Sequence, residues 1–362
     1  MIPVRDKPER GGFLPVRMPL VRLAALVVVV AGLKAAEPVI IPMLLALFLA
    51  VLSFPLQAAL LRWGVRPSLA LAATVAAVIA VVLVFGLLVN QAVAGFVEAL
   101  PSYQGRLVVK AQHWLELARE RGVALSDWLS PETFDVSNWF DLAGGIVGGT
   151  VRGVASLVSL LFMTLVVLIF MLAETLGLGG KLSAAFGERR ELLDHVASIT
   201  RSTQRYVGVK TFVSALVGLL VAAWTALLGI EFPIVWGVIA FFLHYIPTFG
   251  AFIAAAPTIL VAVAQHGWGR AFGVALGYLV IGSVLGNIVE PALMGRRVGL
   301  SPLAVLVAIV FWGWLWGPIG MILSVPVTMI LKIAFEHSRD FKWIAVLLGP
   351  NGKPAPKPDP AA

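Results

Sequence analysis

The 362-residue chain contains no cysteine and few charged residues. The absence of cysteine excludes disulfide bonds, thiolate nucleophiles and cysteine-based metal sites. Charged residues make up only 13% of the chain, whereas hydrophobic residues make up 60% and the mean hydropathy is +0.96. These values lie far outside the range of soluble globular domains and predict a protein of the lipid bilayer.

The motifs of common catalytic sites are also missing from the sequence. It has no GxxxxGK[ST] nucleotide loop, no HExxH zinc motif and no GxSxG nucleophile elbow, and its five histidines lack metal-ligand spacing. We therefore expect no enzyme activity, no cofactor and no metal. The net charge of +8 would suggest nucleic acid in a soluble domain, but here the basic residues lie in loops between apolar spans, where they set topology.

Alternation of apolar and charged stretches divides the chain into regions. We predict a cytoplasmic N-terminal segment (1–19), three membrane helices (20–89), an extracytoplasmic amphipathic helical region (90–142), a fourth membrane helix (143–174), a basic cytoplasmic linker helix (175–210), a transport region (211–347) and a disordered tail (348–362). Basic residues cluster at both ends of the membrane part, which places both termini in the cytoplasm.

Two of these regions offer contacts for other helices. In the amphipathic region, apolar residues recur at three- and four-residue steps from Phe96 to Ala118, and Pro101 is expected to interrupt the helix. This helix lies on its own membrane domain, or it forms a subunit contact or a lid. Glycines from Gly144 to Gly153 allow close helix approach or a hinge. We expect a homo-oligomer.

Two long apolar segments in the transport region are each broken near the middle by proline and glycine. Residues 232–264 are interrupted at Ile246-Pro247-Thr248-Phe249-Gly250, and residues 302–334 at Trp316-Gly317-Pro318-Ile319-Gly320. Each half is shorter than the roughly 20 residues that cross a bilayer, and each whole is too long for one crossing. Broken helices at membrane depth line cavities, so the pair predicts a solute site.

The charges on the following loops distinguish two topologies. If both broken segments are re-entrant hairpins, Arg296 and Arg297 face the cytoplasm, whereas single crossings would place them outside. We therefore predict an all-α polytopic membrane protein with six full spans and two broken, re-entrant helical hairpins in an inverted repeat. Hydropathy alone would count about eight spans.

These motifs also carry a resemblance to a known family. The two breaks, together with Asn287-Ile288-Val289-Glu290-Pro291, Gly299-Leu300-Ser301-Pro302 and Val325-Pro326, resemble the ordered motifs of the autoinducer-2 exporter family of PerM-like permeases. The resemblance covers residues 20–347. It implies a bacterial inner-membrane protein that exports a small signal molecule or, as in other members, exchanges sodium for protons. The chain departs from the family pattern at His244-Tyr245 and at Ala251.

Ionisable residues inside apolar segments are costly and are therefore candidates for function. Glu290 follows Asn287 by one helical step and precedes Pro291, so it is a candidate proton or cation site with backbone carbonyls as further ligands. In the alternative interpretation, Glu290 lies at the cytoplasmic end and pairs with Arg296 or Arg297. His244 carries a proton or is satisfied by a carbonyl.

Hydroxyl and turn residues complete the predicted site. Thr248, Ser324 and Thr328 offer hydroxyls to a polar solute or bond their own backbone. Trp312, Trp314 and Trp316 anchor the protein at the membrane interface or stack on a ligand. Residues with a structural role at turns and hinges are Pro247, Gly250, Pro291, Gly317, Pro318, Gly320 and Pro326.

The sequence thus predicts a secondary transporter or permease for a small polar solute or signal molecule, coupled to an ion gradient. The alternatives are a sodium/proton antiporter and a passive channel or scaffold protein. The expected partners are the lipid bilayer, a small-molecule or ion substrate and further copies of the chain, without nucleic acid.

Overall fold

The computed structural model describes residues 19–120, 150–186, 190–247, 249–294, 300–336 and 341–349. Nearly all of these residues are helical, and no strand occurs among them. The helices are α1 (Pro19–Ala35), α2 (Glu37–Arg62), α3 (Pro67–Glu120), α4 (Thr150–Phe186), α5 (Arg190–Leu227), α6 (Pro233–Leu243), α7 (Phe249–His266), α8 (Trp268–Val284), a π turn (Leu285–Val289), α9 (Glu290–Met294), α10 (Pro302–Glu336) and α11 (Lys342–Leu348). The predicted all-α polytopic class is confirmed.

Several predictions fall outside the described residues. They concern residues 1–18, residues 121–142 of the polar region, the glycines from Gly144 to Gly149, Thr248 at the first break, and the tail from residue 350 onward. The pairing of Glu290 with Arg296 or Arg297 belongs to the same group, because residues 295–299 lie outside as well.

Six helices within the described part of the chain are long and apolar enough to cross a membrane. They are Glu37–Arg62, Pro67–Lys110, Thr203–Leu227, Phe249–His266, Trp268–Met294 and Pro302–Glu336. Shorter apolar helices cover Leu23–Ala35, Ser159–Thr175 and Pro233–Leu243. The long helices therefore include parts of both broken segments, whereas the first and fourth predicted spans correspond to shorter apolar stretches.

Helix α3 continues through Pro101, so the predicted interruption there is wrong. A proline inside a helix removes one hydrogen bond and costs about 3 kcal/mol. Leu100, Tyr103 and Leu107 on the same stretch are buried, and Tyr103 and Leu107 belong to the main hydrophobic cluster of the transport region. This packing holds the helix together across the proline, and α3 does not end at the predicted boundary between residues 89 and 90.

The first broken segment forms two helices with a tight reversal between them. Helix α6 ends at Leu243 and α7 begins at Phe249, and the Gly250 amide donates to the Ile246 carbonyl over 3.1 Å. A methyl group on Gly250 would overlap the carbonyl of Leu243. Only glycine allows this close backbone approach.

The second broken segment also folds back on itself. Its backbone leaves helical geometry at Trp316 and Gly317, where Gly317 has a φ of 63°. The indole of Trp312 donates to the Thr328 hydroxyl over 2.9 Å. In one straight helix these residues would be about 24 Å apart along the axis. The contact therefore shows that the two halves of α10 form a helical hairpin.

Candidate functional site

The Glu290 carboxylate lies at the centre of a buried charged cluster. The Lys210 ammonium donates to its Oε1 over 2.9 Å and to its Oε2 over 3.0 Å, and His244 Nε2 lies 3.1 Å from Oε2. The exposed fractions of the Lys210, His244 and Glu290 side chains are 4%, 9% and 15%. We call these three residues the charged triad.

Three separate elements bring the triad together. Lys210 lies within α5, His244 follows the last residue of α6 at the first break, and Glu290 begins α9 directly after the π turn. The Glu290 amide bonds to the Leu285 carbonyl, and Pro291 has no amide hydrogen to offer to the carbonyls of the turn. Single π turns are frequent at functional sites because they redirect a side chain and release a carbonyl.

The two charges of the buried pair depend on their mutual attraction. Moving one charge alone into a poorly solvated environment costs several kcal/mol, and breaking such a pair by removing one partner costs about 3–5 kcal/mol. Arg205 stands one turn further back on α5 and donates to the Leu293 carbonyl over 3.2 Å, which holds α9 against α5. Glu290 and Lys210 therefore form a charge pair whose two halves depend on each other.

Among the described candidate residues from the sequence, the structure brings two together and separates the other three. His244 and Glu290 are in contact, whereas Asn287 lies exposed on the π turn. Ser324 donates to the Met321 carbonyl over 2.7 Å, and Thr328 accepts the bond from Trp312. These last two hydroxyls are thus satisfied within their own hairpin.

Lys210 is the functional candidate that sequence reasoning missed. The sequence assigns it to the end of a basic cytoplasmic linker, but it lies within a continuous helix and is buried. The sequence around Lys210 could have indicated its burial. Apolar residues precede and follow the lysine at helical spacing, and these are also buried: Tyr206, Val207, Val213 and Val217.

The tryptophans of the second break face inward, apart from one. Trp312 and Trp316 are buried and stack with ring centroids 4.7 Å apart, and the Trp316 indole donates to the Leu33 carbonyl over 3.2 Å. The interpretation as interface anchors does not fit these two residues. Trp314 is exposed, and the Lys34 ammonium lies 4.6 Å from its ring centre, a cation–π contact.

The two breaks lie in different hydrophobic clusters of the described residues. Around the first break, Tyr245 donates to Thr211 on α5 over 2.8 Å, and its ring packs edge-on against Phe48 of α2. Trp312 and Trp316 at the second break pack against Ile41 of α2 and the end of α1. Helix α2 therefore contacts both breaks.

A second polar cluster joins α3 to the base of the first hairpin. The Tyr103 hydroxyl donates to the Glu231 carboxylate and accepts from the Gln265 amide over 3.0 Å. The Lys110 ammonium donates to the Val263 and Ala264 carbonyls over 2.7 and 2.9 Å. These bonds satisfy carbonyls near the end of α7 and attach both ends of the hairpin to one long helix.

The region that contains these residues matches a known protein family. The profile described as "AI-2E family transporter" matches residues 23–340, which include the charged triad and both breaks. The chain is 34% identical to the "AI-2 transport protein TqsA" of Escherichia coli K12, over 91% of this chain and 94% of the relative.

Two further relatives are similar along almost their whole length. A Haemophilus influenzae protein named "Putative transport protein" is 33% identical over 91% of this chain and 95% of its own. The Escherichia coli K12 protein named "Putative transport protein YhhT" is 34% identical over 92% of this chain and 95% of its own.

Proposed function

Because the chain belongs to the AI-2E transporter family, we propose that it is a secondary transporter that couples solute movement to an ion gradient through Glu290. Membership of the family makes the protein a multi-pass membrane transporter. The coupling and the class of solute are our proposal. No chemical transformation of the solute is part of it.

The observation that carries the proposal is the buried bond between Lys210 and Glu290. A proton on Glu290 removes the negative charge that holds the Lys210 ammonium, and both groups are then free to take new partners. Since the pair joins α5 to α9, its loss changes how these helices pack. A charge change at a two-state contact is a common way to drive conformational switching.

Other charged and titratable groups share this environment. His244 reaches Glu290 from the first break, and Tyr206 lies buried on α5 one turn before Lys210. Arg205 bonds the backbone of α9 rather than the carboxylate. The proton on Glu290 therefore competes with one ammonium and one imidazole for the same two oxygens.

The proposed solute is a small polar molecule, such as a signal molecule. TqsA is named for transport of AI-2. We propose that the chain lies in the bacterial inner membrane with both termini cytoplasmic and assembles as a homo-oligomer. In this arrangement the two hairpins enter from opposite faces as an inverted repeat, and they move against α1 to α4.

The test is uptake of autoinducer-2 into proteoliposomes with and without a pH gradient. We expect accumulation with the gradient and counterflow without it, because a carrier exchanges its solute. Glu290→Gln should abolish the response to the gradient, and the double variant Lys210→Met/Glu290→Gln, which leaves no charge unpaired, controls for lost stability. Unchanged coupling in the single variant would remove Glu290 from the mechanism.

Sodium/proton exchange is the second candidate. After release from Lys210, the Glu290 carboxylate and the carbonyls near Pro291 would offer a sodium ion the oxygen ligands that it requires. In this case an outward sodium gradient would move protons into the same proteoliposomes without any solute, and Glu290→Gln would abolish that movement.

A further inference from the structure

Helix α5 presents one buried stripe that runs past the charged triad. The residues of the stripe follow each other at steps of four and three and are all buried: Thr203, Val207, Lys210, Ser214, Val217 and Val221. The opposite side of the same helix is exposed at Phe212 and Leu219. The stripe therefore faces the protein interior over about five helical turns.

Two hydroxyls on this stripe lack a hydrogen-bond partner in the part of the chain that the structure describes. Thr203 and Ser214 are 9% and 0% exposed, and neither side-chain oxygen has a partner among the described residues. Two other hydroxyls on α5 behave differently, since Thr211 and the buried Thr225 donate to the carbonyls of Val207 and Val221 over 2.8 Å. That bond is the usual solution in membrane helices. An unpartnered buried hydroxyl costs about 1–3 kcal/mol, which a hydrogen-bonding solute beside it would recover.

Small cavities lie at both ends of the stripe. Thr203 and Val207 line one of them, together with Phe48 and Pro326, between α2, α5 and the second hairpin. Val217 and Val221 line the other, together with His244 and Tyr278, between α5, the first hairpin and α8. Each is about large enough for one water molecule. Along α5, Lys210 lies between the residues that line one cavity and those that line the other.

We infer that the α5 stripe is the wall of the transport route, and that Thr203 and Ser214 bind a small uncharged solute that carries hydroxyl groups. Each free hydroxyl both donates and accepts a hydrogen bond, and so does a hydroxyl of such a solute. The remaining wall is valine, and the ammonium and carboxylate of the triad cancel each other. An ion would find no compensating charge on this wall.

This inference rests on the proposed transport function and adds the route and the class of solute. Its first test removes the hydroxyls while keeping their shape, with Thr203→Val and Ser214→Ala. Thr164 provides the matched control, because it is also buried and unpartnered but lies on α4, away from the stripe.

We expect none of the three variants to lower the midpoint of thermal unfolding, because each removes a buried hydroxyl that has no partner. Thr203→Val and Ser214→Ala should each raise the KM for autoinducer-2 by about threefold to tenfold, the loss of one hydrogen bond. Thr164→Val should leave it unchanged. Equal KM values in all variants and the unmodified protein would overturn the inference.

The second test needs no transport and exploits the absence of native cysteine. Single cysteines at Val207 and Val217 should react with a water-soluble methanethiosulfonate reagent, because they line a hydrated route. Cysteines at Phe212 and Leu219 should not react, because that side of the helix faces lipid. Equal reactivity on both sides, or none on the stripe, would contradict the route even if autoinducer-2 is transported.

Protection experiments identify the class of solute. Autoinducer-2 or ribose should slow labelling of the stripe, and the organic cation tetramethylammonium should not. Labelling slowed only by the cation would overturn the assignment of an uncharged solute. Failure of the Glu290→Gln test with a positive labelling pattern would reject the coupling alone and retain the route.

Discussion

The Lys210 ammonium lies 2.9 Å from Oε1 of Glu290, and the two residues come from helices that are separated by the whole first hairpin. The pair connects α5 to the segment after the π turn, and His244 at the first break contacts the same carboxylate. A transporter that uses this carboxylate for coupling therefore senses protonation at the point where α5, the first break and α9 meet.

The ion pair should dominate the stability of this region. Lys210→Met leaves Glu290 buried without its cation and should lower the free energy of unfolding by about 3–5 kcal/mol. The double variant Lys210→Met/Glu290→Gln should recover most of this loss, because no charge is then left unpaired. Thermal unfolding followed by tryptophan fluorescence measures both. A double variant no more stable than the single one would show that the pair is not the cause.

The tight reversals should not tolerate a side chain. A methyl group at Gly250 or Gly320 would overlap the carbonyl of Leu243 or Trp312, so Gly250→Ala and Gly320→Ala should each cost more than about 1 kcal/mol of stability. Gly32 on α1 has no atom within 4 Å of the same position, and Gly32→Ala should stabilise by about 0.5–1 kcal/mol. Equal effects at all three sites would contradict the reversals.

The attachment of α3 to the first hairpin should be measurable by hydrogen exchange. Lys110→Met removes two bonds to the end of α7 and should increase exchange of the amides that follow Val263, with a loss of about 1–2 kcal/mol. Its neighbour Val109 is 66% exposed, and Val109→Ala should change neither the hydrogen exchange nor the stability. Unchanged exchange in the lysine variant would show that α3 does not hold the hairpin.

The two inward-facing tryptophans should matter more than the outward one. Trp312→Phe loses the bond to Thr328 and part of the stack with Trp316, and should destabilise by about 1–3 kcal/mol. Trp314→Phe should cost under about 1 kcal/mol, because it loses only an exposed cation–π contact. A larger effect at Trp314 would indicate that the membrane interface holds this hairpin in place.

The sequence was informative wherever the relevant physics is local. Proline and glycine restrict or free the backbone at their own positions, and both breaks occur at the predicted motifs around Pro247 and Pro318. Glu290 and His244 stand out because ionisable groups are rare in apolar segments. The predicted interruption at Pro101 was wrong, because the packing of α3 against α6 and α7 outweighs the loss of one hydrogen bond.

The hydropathy of the chain and the positions of its prolines and glycines were enough to determine a polytopic helical membrane protein with two broken segments. Only the tertiary structure decided that Lys210 is the partner of Glu290, that Trp312 and Trp316 face inward, and that Thr203 and Ser214 lie unpartnered on one stripe. The side of a helix that becomes buried depends on segments far along the chain, and these contacts form only when the hairpins fold back.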